Sequence, residues 1–282
     1  MSQPQVWFIT GASAGFGRHT TELVLGKGGI VVAAARKTQA LDDLKSKYPD
    51  RLLVVEVDVT NTDQIASAFE KIKETYGRLD VVYNNAGVVV YSEVETTPRD
   101  AARAQFETNF WGAAEVTIQA VKFFRDVNKP AGGRLLNMSG VLGVVGLPVF
   151  GFHAATKHAL EGLTKSLVAE LDPEWNIKIT LIEAGTFRTD AVQNSILIHP
   201  SPMYDKPTLP GVHIRQHLMG DQSSWGNPVK AAEKIYQITQ VADPPLRLPL
   251  GKDLYQLIPP EINQIQDDLA KYESWTNDLY DT

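Results

Sequence analysis

Short, almost continuously apolar runs alternate with longer amphipathic stretches along this chain, and this alternation limits the fold more than any other feature. Six runs have the length and composition of strands, and a weaker seventh follows them: 6–10, 30–35, 52–58, 79–86, 133–139 and 177–184, then 248–251. Strands that are apolar on both faces are typical of a parallel sheet covered by helices on each side. Helical periodicity marks the longer stretches: 15–28, 62–77, 99–127 and 154–174. The sequence therefore predicts an α/β fold with a doubly wound, Rossmann-type parallel sheet.

A single domain over residues 1–282 is predicted, because no long linker, repeat or low-complexity segment interrupts this order. Residues 190–228 are rich in Pro, Gly and His and lose periodicity, which is typical of a lid or substrate loop. Apolar residues in this segment favour a bulky, mostly apolar ligand: Ile196, Leu197, Ile198, Met203, Leu218 and Met219. Residues 260–282 are acidic and weakly helical, and we expect them to form a solvated terminal helix.

The overall composition excludes several classes of partner. The chain has 27 basic and 33 acidic residues, a formal charge of -6, so a nucleic-acid partner is not expected. It has no cysteine, which suits a reducing compartment. No apolar run reaches the roughly 18 residues that a membrane span needs. We expect a soluble, cytoplasmic protein with no membrane partner. No metal site is expected either, since His199, His213 and His217 lack the spacing of ligands.

A glycine-rich turn joins the first predicted strand to the first predicted helix. In "TGASAGFG" (10–17), Gly11 permits a tight turn, and Gly15 and Gly17 let the backbone approach a ligand. The free N–H groups at the start of the helix suit a pyrophosphate. This context predicts a dinucleotide site.

The end of the second predicted strand distinguishes between the two nicotinamide cofactors. An NAD enzyme places Asp or Glu there to bind the ribose hydroxyls, whereas a 2′-phosphate requires a cation. Here Ala35 occupies that position, followed by Arg36 and Lys37. This pattern favours NADP(H), because a guanidinium binds phosphate through two parallel hydrogen bonds.

With these motifs in order, the chain resembles the short-chain dehydrogenase/reductase superfamily over essentially residues 5–260. The resemblance rests on the glycine turn, Asp58 in "DVT", "NNAG" at 84–87, and Lys157 in the position of the lysine of YxxxK. It implies an NADP(H)-dependent oxidoreductase of the carbonyl reductase or alcohol dehydrogenase type, acting on a small molecule. It also implies a set of cofactor-binding residues: Gly11, Ser13, Gly15, Phe16, Gly17, Arg36, Lys37, Asp58, Val59, Asn85, Ala86, Gly87, Lys157, Gly185, Thr186 and Thr189.

The catalytic set implied by this resemblance is complete except at one position. Asn109 matches the asparagine that holds a water and the local helix geometry, and Ser139 matches the serine that hydrogen-bonds the substrate carbonyl. Lys157 matches the lysine that holds the nicotinamide ribose and lowers the pKa of a tyrosine. That tyrosine, the proton donor of the family, falls at position 153, where this chain has His153.

Three interpretations of His153 remain open. In the first interpretation, His153 acts as an acid, because imidazole titrates near neutral pH. Its ring reaches roughly 2 Å less far than a tyrosine hydroxyl, so a bridging water would be needed. Alternatively the exchange disables the enzyme, or the protein has diverged to another chemistry. The main prediction is a disabled or impaired reductase. The alternative is an NADP-binding protein without net redox turnover, such as a pseudoenzyme or a cofactor-supported isomerase or cyclase.

Other predictions concern the turn at 184–185, aromatic side chains and assembly. The family has Pro-Gly at this turn, and Ala184 is expected to soften cofactor binding. Tyr91 and Tyr204 are candidates for the substrate pocket. Four aromatic residues are expected in the core or between helices: Phe110, Trp111, Phe123 and Phe124. Members of the family form dimers or tetramers, and apolar positions in the helices around 101–127 and 154–172 predict a homo-oligomer here.

Overall fold

A computed structural model describes residues 3–280, so the last two residues of the predicted tail lie outside the described residues. The strands within this range are β1 (Val6–Thr10), β2 (Ile30–Ala35), β3 (Leu52–Glu56), β4 (Val81–Asn84), β5 (Val90–Tyr91), β6 (Gly133–Met138), β7 (Ile177–Ala184), β8 (Ile196–Leu197) and β9 (Arg247–Leu250). The α-helices are α1 (Gly15–Gly26), α2 (Asp42–Lys47), α3 (Thr62–Tyr76), α4 (Arg99–Phe106), α5 (Ala113–Asp126), α6 (Gly151–Glu170), α7 (Pro210–Met219), α8 (Pro228–Ile238) and α9 (Leu254–Tyr272).

Seven strands form one parallel sheet in the order β3-β2-β1-β4-β6-β7-β9, which confirms the predicted fold. The chain moves outward from β1 in one direction through β2 and β3, then returns to place β4 on its other side. The carboxyl ends of β1 and β4 flank this reversal of strand order. Ligands of doubly wound sheets bind at such a point.

The two faces of the sheet explain why its strands are apolar throughout. Val6 and Phe8 of β1 enter one hydrophobic core with α3 and α5, and Trp7 and Ile9 enter a second core with α1 and α8. Successive side chains of a strand point to opposite faces. Both faces are covered here, so every residue of β1 is buried.

A chain of buried hydrogen bonds connects the sheet to helices α5 and α6. Asn84 of β4 donates to Asn137 of β6 at 3.0 Å and to the Ala113 carbonyl at 2.8 Å. The Asn137 amide donates in turn to Thr164 of α6 at 3.1 Å. Buried polar groups are costly unless they are paired. The pairing therefore fixes α5 and α6 against the carboxyl ends of these strands.

The long helix predicted over 99–127 is interrupted, which corrects that prediction. Residues Glu107–Gly112 between α4 and α5 form a π-helical segment. Within this region Phe123 and Phe124 are buried, as predicted. Trp111 is 59% exposed, so the prediction that it lies in the core or between helices was wrong for this residue. A π-helical segment in an α-helix is frequent at functional sites, and this one carries Asn109.

Exposed apolar residues on α5 and α6 make the predicted homo-oligomer testable. Ile118 and Val168 are 43% and 39% exposed. We expect light scattering at micromolar concentration to give at least twice the 31.1 kDa of one chain. Replacing both residues with glutamate should lower that mass, because a charge in an apolar interface is costly. Val229→Glu on α8 is the matched control and should leave the mass unchanged. A monomeric parent protein would contradict the prediction.

The segment 190–228 contains regular structure that its irregular sequence did not predict. Strand β8 pairs in parallel with β5, and α7 follows it. Arg215 of α7 donates to both carboxylate oxygens of Glu93, at 2.9 and 3.0 Å, and to the Ile198 carbonyl at 2.8 Å. These contacts hold the segment over the carboxyl edge of the sheet, next to the loop that follows β4.

The apolar residues of this segment differ in burial. Leu218 is buried in a cluster with Tyr91 and Trp225. The others are exposed or half-buried: Ile196, Leu197, Ile198, Met203 and Met219. The tail beyond residue 260 is helical as predicted, with α9 ending at Tyr272, and it is exposed through residue 280.

Candidate active site

The glycine turn after β1 is held in shape by the chain itself. Gly11 and Gly15 have φ of 64° and 50°, the left-handed region that glycine tolerates best. The Asn85 side chain donates to the Thr10 carbonyl at 3.0 Å. The Thr10 hydroxyl accepts from the backbone N–H groups of Asn85 and Ala86, at 2.9 and 3.0 Å. The "NNAG" residues after β4 therefore brace the turn.

Gly17 has a different reason for being glycine. Its φ is not positive, but an added Cβ would collide with the Gly11 carbonyl and lie 2.6 Å from the Asn85 amide nitrogen. Gly17 therefore permits close packing within the protein, and its predicted role in the approach of a ligand stays a prediction. The consequence is that α1 begins directly against the turn.

The start of α1 is open to an anion. Its first residue follows Ala14, no side chain caps it, and its first turn has no acidic residue. Unpaired N–H groups at such a helix end favour a phosphate. Phe16 packs edge-on against Phe187, with ring centroids 5.2 Å apart, and Thr189 lies beside Gly15. The turn after β7 thus adjoins the glycine turn.

The end of β2 presents two exposed cations, Arg36 and Lys37. A third basic residue in this region, Arg18 of α1, is bound by the carboxylates of Glu22 and Asp43. Asp58, after β3, accepts hydrogen bonds from the backbone and hydroxyl of Thr60, at 3.0 and 2.8 Å. Val59, the next residue, is buried.

Asn109 clamps the loop that follows β4. Its Oδ1 accepts from the Val88 N–H at 2.8 Å, and its Nδ2 donates to the Val88 carbonyl at 2.8 Å. This reciprocal pair fixes which end of the amide is nitrogen. Gly87 lies against Asn109 and Lys157, since a Cβ there would be 3.3 Å from Asn109 Oδ1 and 4.0 Å from Lys157 Nζ.

The hydrogen bonds around His153 determine which ring nitrogen carries its proton. Gln105 Nε2 lies 3.0 Å from His153 Nδ1, and Asn109 Nδ2 lies 3.4 Å from it. Gln105 Nε2 is also 3.3 Å from the Val88 carbonyl, which only accepts, so the amide nitrogen faces this side. Gln105 Nε2 is therefore the donor in the 3.0 Å contact, and His153 Nδ1 is the acceptor. The proton is on Nε2, the opposite nitrogen of the ring.

The surroundings of His153 favour its neutral form. The ring keeps some accessible surface but is otherwise enclosed by protein. Burial, then the charge of Lys157, lowers the pKa of His153 to about 3, against a small opposing effect of the Val88 carbonyl. An imidazolium that donates its proton near pH 7 is therefore not available, which argues against the first interpretation of His153.

Lys157 lies one helical turn beyond His153 and is also buried. Its Nζ donates to the Met138 carbonyl at 2.7 Å. Burial lowers the pKa of Lys157 to about 8, and the carboxylate of Glu161 opposes that shift. The ammonium has three protons, so further donors remain for a ligand.

Ser139 meets a residue that the sequence analysis missed. Its hydroxyl donates to Glu161 Oε1 at 2.8 Å. Glu161 is 1% exposed and faces Arg247, whose Nη2 lies 2.7 Å from Oε2. Arg247 also pairs with buried Glu183 of β7. One signal was visible: residues 153, 157 and 161 are spaced by four, so they share the inward face of α6.

The turn after β7 has a second support that the sequence did not reveal. Asp253 Oδ2 accepts from the Thr186 N–H at 2.7 Å, and the Gly185 N–H donates to the Leu250 carbonyl at 2.8 Å. An added Cβ at Gly185 would collide with Asp253. These contacts hold the turn where the family has proline and this chain has Ala184.

The structure thus brings Asn109, His153 and Lys157 into one cluster beside Gly87, with Ser139 next to the carbonyl that Lys157 binds. Two other candidates are engaged elsewhere. Tyr91 is buried edge-on against Phe150, with ring centroids 5.1 Å apart, and the Tyr204 hydroxyl bonds Glu95. Among residues 3–280 there is no group of three metal-binding side chains. No helix in that range is long and apolar enough to cross a membrane.

Comparison with known proteins identifies the family of this chain. Residues 5–197 match the short chain dehydrogenase family. An uncharacterized oxidoreductase of Schizosaccharomyces pombe is 34% identical over 93% of this chain and 87% of its own. A 3-ketodihydrosphingosine reductase of Bacteroides thetaiotaomicron is 30% identical over 96% of both chains. The crystal structure of a short-chain dehydrogenase from Streptomyces avermitilis superposes with a TM-score of 0.90 at 32% identity, covering 99% of this chain and 100% of that one. This chain belongs to the short-chain dehydrogenase/reductase family of oxidoreductases.

Proposed function

We propose that this protein is an NADP(H)-dependent oxidoreductase of the carbonyl reductase or alcohol dehydrogenase type, impaired in proton transfer by His153. The observation that carries the proposal is the buried cluster of Asn109, Lys157 and a neutral His153 at the carboxyl edge of the sheet. A buried lysine of lowered pKa beside a glycine turn is typical of a functional site.

The residues present fit a nicotinamide dinucleotide. The uncapped start of α1 and the left-handed Gly11 and Gly15 leave backbone N–H groups for a pyrophosphate. Arg36 and Lys37 supply the cations that a 2′-phosphate requires. The Lys157 ammonium suits the hydroxyls of a ribose, and Gly87 leaves space beside it. Asp58 and the turn at Gly185, Thr186 and Thr189 complete the candidate cofactor site.

When bound, the nicotinamide supplies or accepts a hydride. The side chains of this protein would orient the substrate and handle its proton. His153 offers an N–H from Nε2 as a hydrogen-bond donor, because Gln105 and Asn109 occupy Nδ1. A neutral imidazole polarises an oxygen but is a very weak acid. Lys157, with a pKa of about 8, is the other proton-exchanging group of the cluster.

A bulky, mostly apolar ketone or secondary alcohol is the proposed substrate class. The relative from Bacteroides thetaiotaomicron is named a 3-ketodihydrosphingosine reductase and matches along nearly its whole length. The segment 190–228 carries apolar side chains beside the carboxyl edge of the sheet, and some of them are exposed. Apolar walls with few polar groups are usual in such pockets.

The cofactor preference is expected to depend on Arg36. NADPH should bind at least tenfold more tightly than NADH, about 1.4 kcal/mol, and Arg36→Ala should remove most of that difference. Calorimetric titration of both cofactors measures the two affinities. Arg125→Ala, at the opposite edge of the sheet and paired with Asp126, is the matched control and should leave both unchanged. Equal affinities of the parent protein for NADPH and NADH would contradict the NADP proposal.

Turnover is the direct test of the proposed function. NADPH absorbance is followed with a panel of long-chain and aryl ketones, and NADP+ reduction with the matching secondary alcohols. Slow but measurable turnover is expected, above the rate of a Lys157→Met control. Tight NADPH binding without turnover, in both the parent protein and a His153→Tyr variant, would favour the non-redox alternative.

A further inference from the structure

The hydrogen bond from Ser139 to Glu161 changes what Ser139 offers to a substrate. A serine hydroxyl has one proton and two lone pairs. In this structure the proton points to Glu161 Oε1, 2.8 Å away, and both groups are buried. In this contact the carboxylate oxygen is the acceptor, so the single proton of Ser139 is engaged. The remaining lone pairs of Ser139 are acceptors.

Two cations orient the Glu161 carboxylate so that Oε1 faces Ser139. Arg247 Nη2 of β9 lies 2.7 Å from Oε2, and Lys165, one turn further along α6, lies 3.9 Å from it. Glu183 of β7 shares Arg247. The positive charge is therefore on the Oε2 side, and Oε1 faces Ser139. Gly143 closes the remaining side, since a Cβ there would collide with both Ser139 Oγ and Glu161 Oε1.

We propose that Glu161 is a positioning residue that makes Ser139 a hydrogen-bond acceptor, so that the site recognises the hydroxyl of a secondary alcohol in preference to a carbonyl oxygen. A carbonyl oxygen needs donors, whereas a hydroxyl accepts one hydrogen bond and donates another. His153 Nε2–H supplies a donor and Ser139 Oγ an acceptor. This inference rests on the proposed function, because it requires the substrate oxygen to meet Ser139.

Glu161→Gln is the informative variant because its shape is unchanged. The cations beside Oε2 attract the amide oxygen, which turns the amide nitrogen toward Ser139. Ser139 Oγ then accepts from that nitrogen, and its own proton is released toward the pocket. Glu183→Gln is the matched control: it removes an equally buried carboxylate from the same arginine without touching Ser139.

The test measures binding in complexes that cannot react. Calorimetry gives the Kd of 4-phenyl-2-butanol and 2-decanol on NADPH-loaded protein, and of the corresponding ketones on NADP+-loaded protein. We expect Glu161→Gln to shift the alcohol-to-ketone preference about tenfold toward the ketone, and Ser139→Ala to weaken the alcohol more than the ketone. Glu183→Gln should keep the preference within twofold. Equal shifts for both ligands in Glu161→Gln, or binding of none of the four probes to loaded parent protein, would overturn the inference.

A second readout is independent of ligand and cofactor. The infrared carboxylate band of Glu161 is assigned by its loss in Glu161→Gln, and Ser139→Ala should shift it, because a hydrogen bond to Oε1 is removed. An unshifted band would overturn the inference even if the proposed function holds. Conversely, a shifted band in a protein that binds no NADPH or NADP+ would show the positioning contact while refuting the proposed function.

Discussion

Replacing His153 with tyrosine is expected to raise NADPH-dependent ketone reduction by ~10² or more, the usual effect of a positioned proton donor. A tyrosine hydroxyl extends roughly 2 Å further than the imidazole and brings an acidic proton that a neutral histidine of pKa about 3 lacks. Lys157, one helical turn away, would lower the pKa of that hydroxyl. Initial rates on the ketone panel between pH 5 and 9 measure the gain.

The control for this substitution is His153→Phe, which fills the position without a hydrogen-bond donor. Its rate should not exceed that of the parent protein.

The pH dependence of the rate is a separate prediction. Since the pKa of His153 is about 3, the parent rate should show no imidazole inflection between pH 5 and 9, and its main inflection should fall near the Lys157 pKa of about 8. A parent profile that bends near pH 6.5 and is lost in the tyrosine variant would mean that His153 itself transfers the proton.

Arg247→Ala is expected to lower the free energy of unfolding by about 3 kcal/mol at pH 7. Removing one partner of a buried ion pair costs roughly 3–5 kcal/mol, and the lower figure applies because Arg247 keeps 35% of its side chain exposed. The carboxylates of Glu161 and Glu183 would be left buried without their shared cation. Urea denaturation measures the loss, and Lys73→Ala, at an exposed pair with Glu70, should change stability by less than about 0.5 kcal/mol.

The stability that Arg247→Ala loses at pH 7 should be partly recovered in acid. Burial, and then the neighbouring Glu161 carboxylate, raise the pKa of Glu183 above its usual value even with Arg247 present. A carboxyl whose pKa is higher in the folded state stabilises the fold below its unfolded pKa of roughly 4.3, and this contribution is lost as the pH rises through the folded value. Without Arg247 the shift should grow, so the deficit of the variant should shrink from pH 7 toward pH 4.5. A deficit independent of pH would contradict this assignment.

The fold was predictable because each strand is recognisable from its own run of apolar residues. Trp7 and Phe8 are adjacent in the sequence and enter different cores, and only a sheet covered on both faces buries both. Strand ends were less predictable: the run 79–86 is a strand only over Val81–Asn84, because Asn85 and Ala86 leave the sheet to brace the glycine turn. The propensity of a residue carries no information about such a distant partner.

The candidate site was only partly predictable, again because a contact between residues distant in the sequence leaves no local signal. Motif residues such as Asn109, Ser139 and Lys157 were found through the resemblance to the family. Gln105 and Glu161 were missed, because each acts through a side chain distant in the sequence. The irregular segment 190–228 hid helix α7, which is held by Arg215 on Glu93, a contact across 122 residues.

The pairing of β5 with β8 joins the segment 190–228 to the loop that follows β4. Ile196 and Ile198 of the substrate segment donate to the Val89 and Tyr91 carbonyls, and Asn109 clamps Val88, the preceding residue. A change in the segment 190–228 therefore acts on the backbone that Asn109 clamps and, through Asn109, on the ring of His153. Grafting the corresponding segment of a relative onto this chain is therefore expected to move Asn109 and His153 as well. The segment 190–228 and the cluster of Asn109 and His153 are thus coupled through one stretch of backbone.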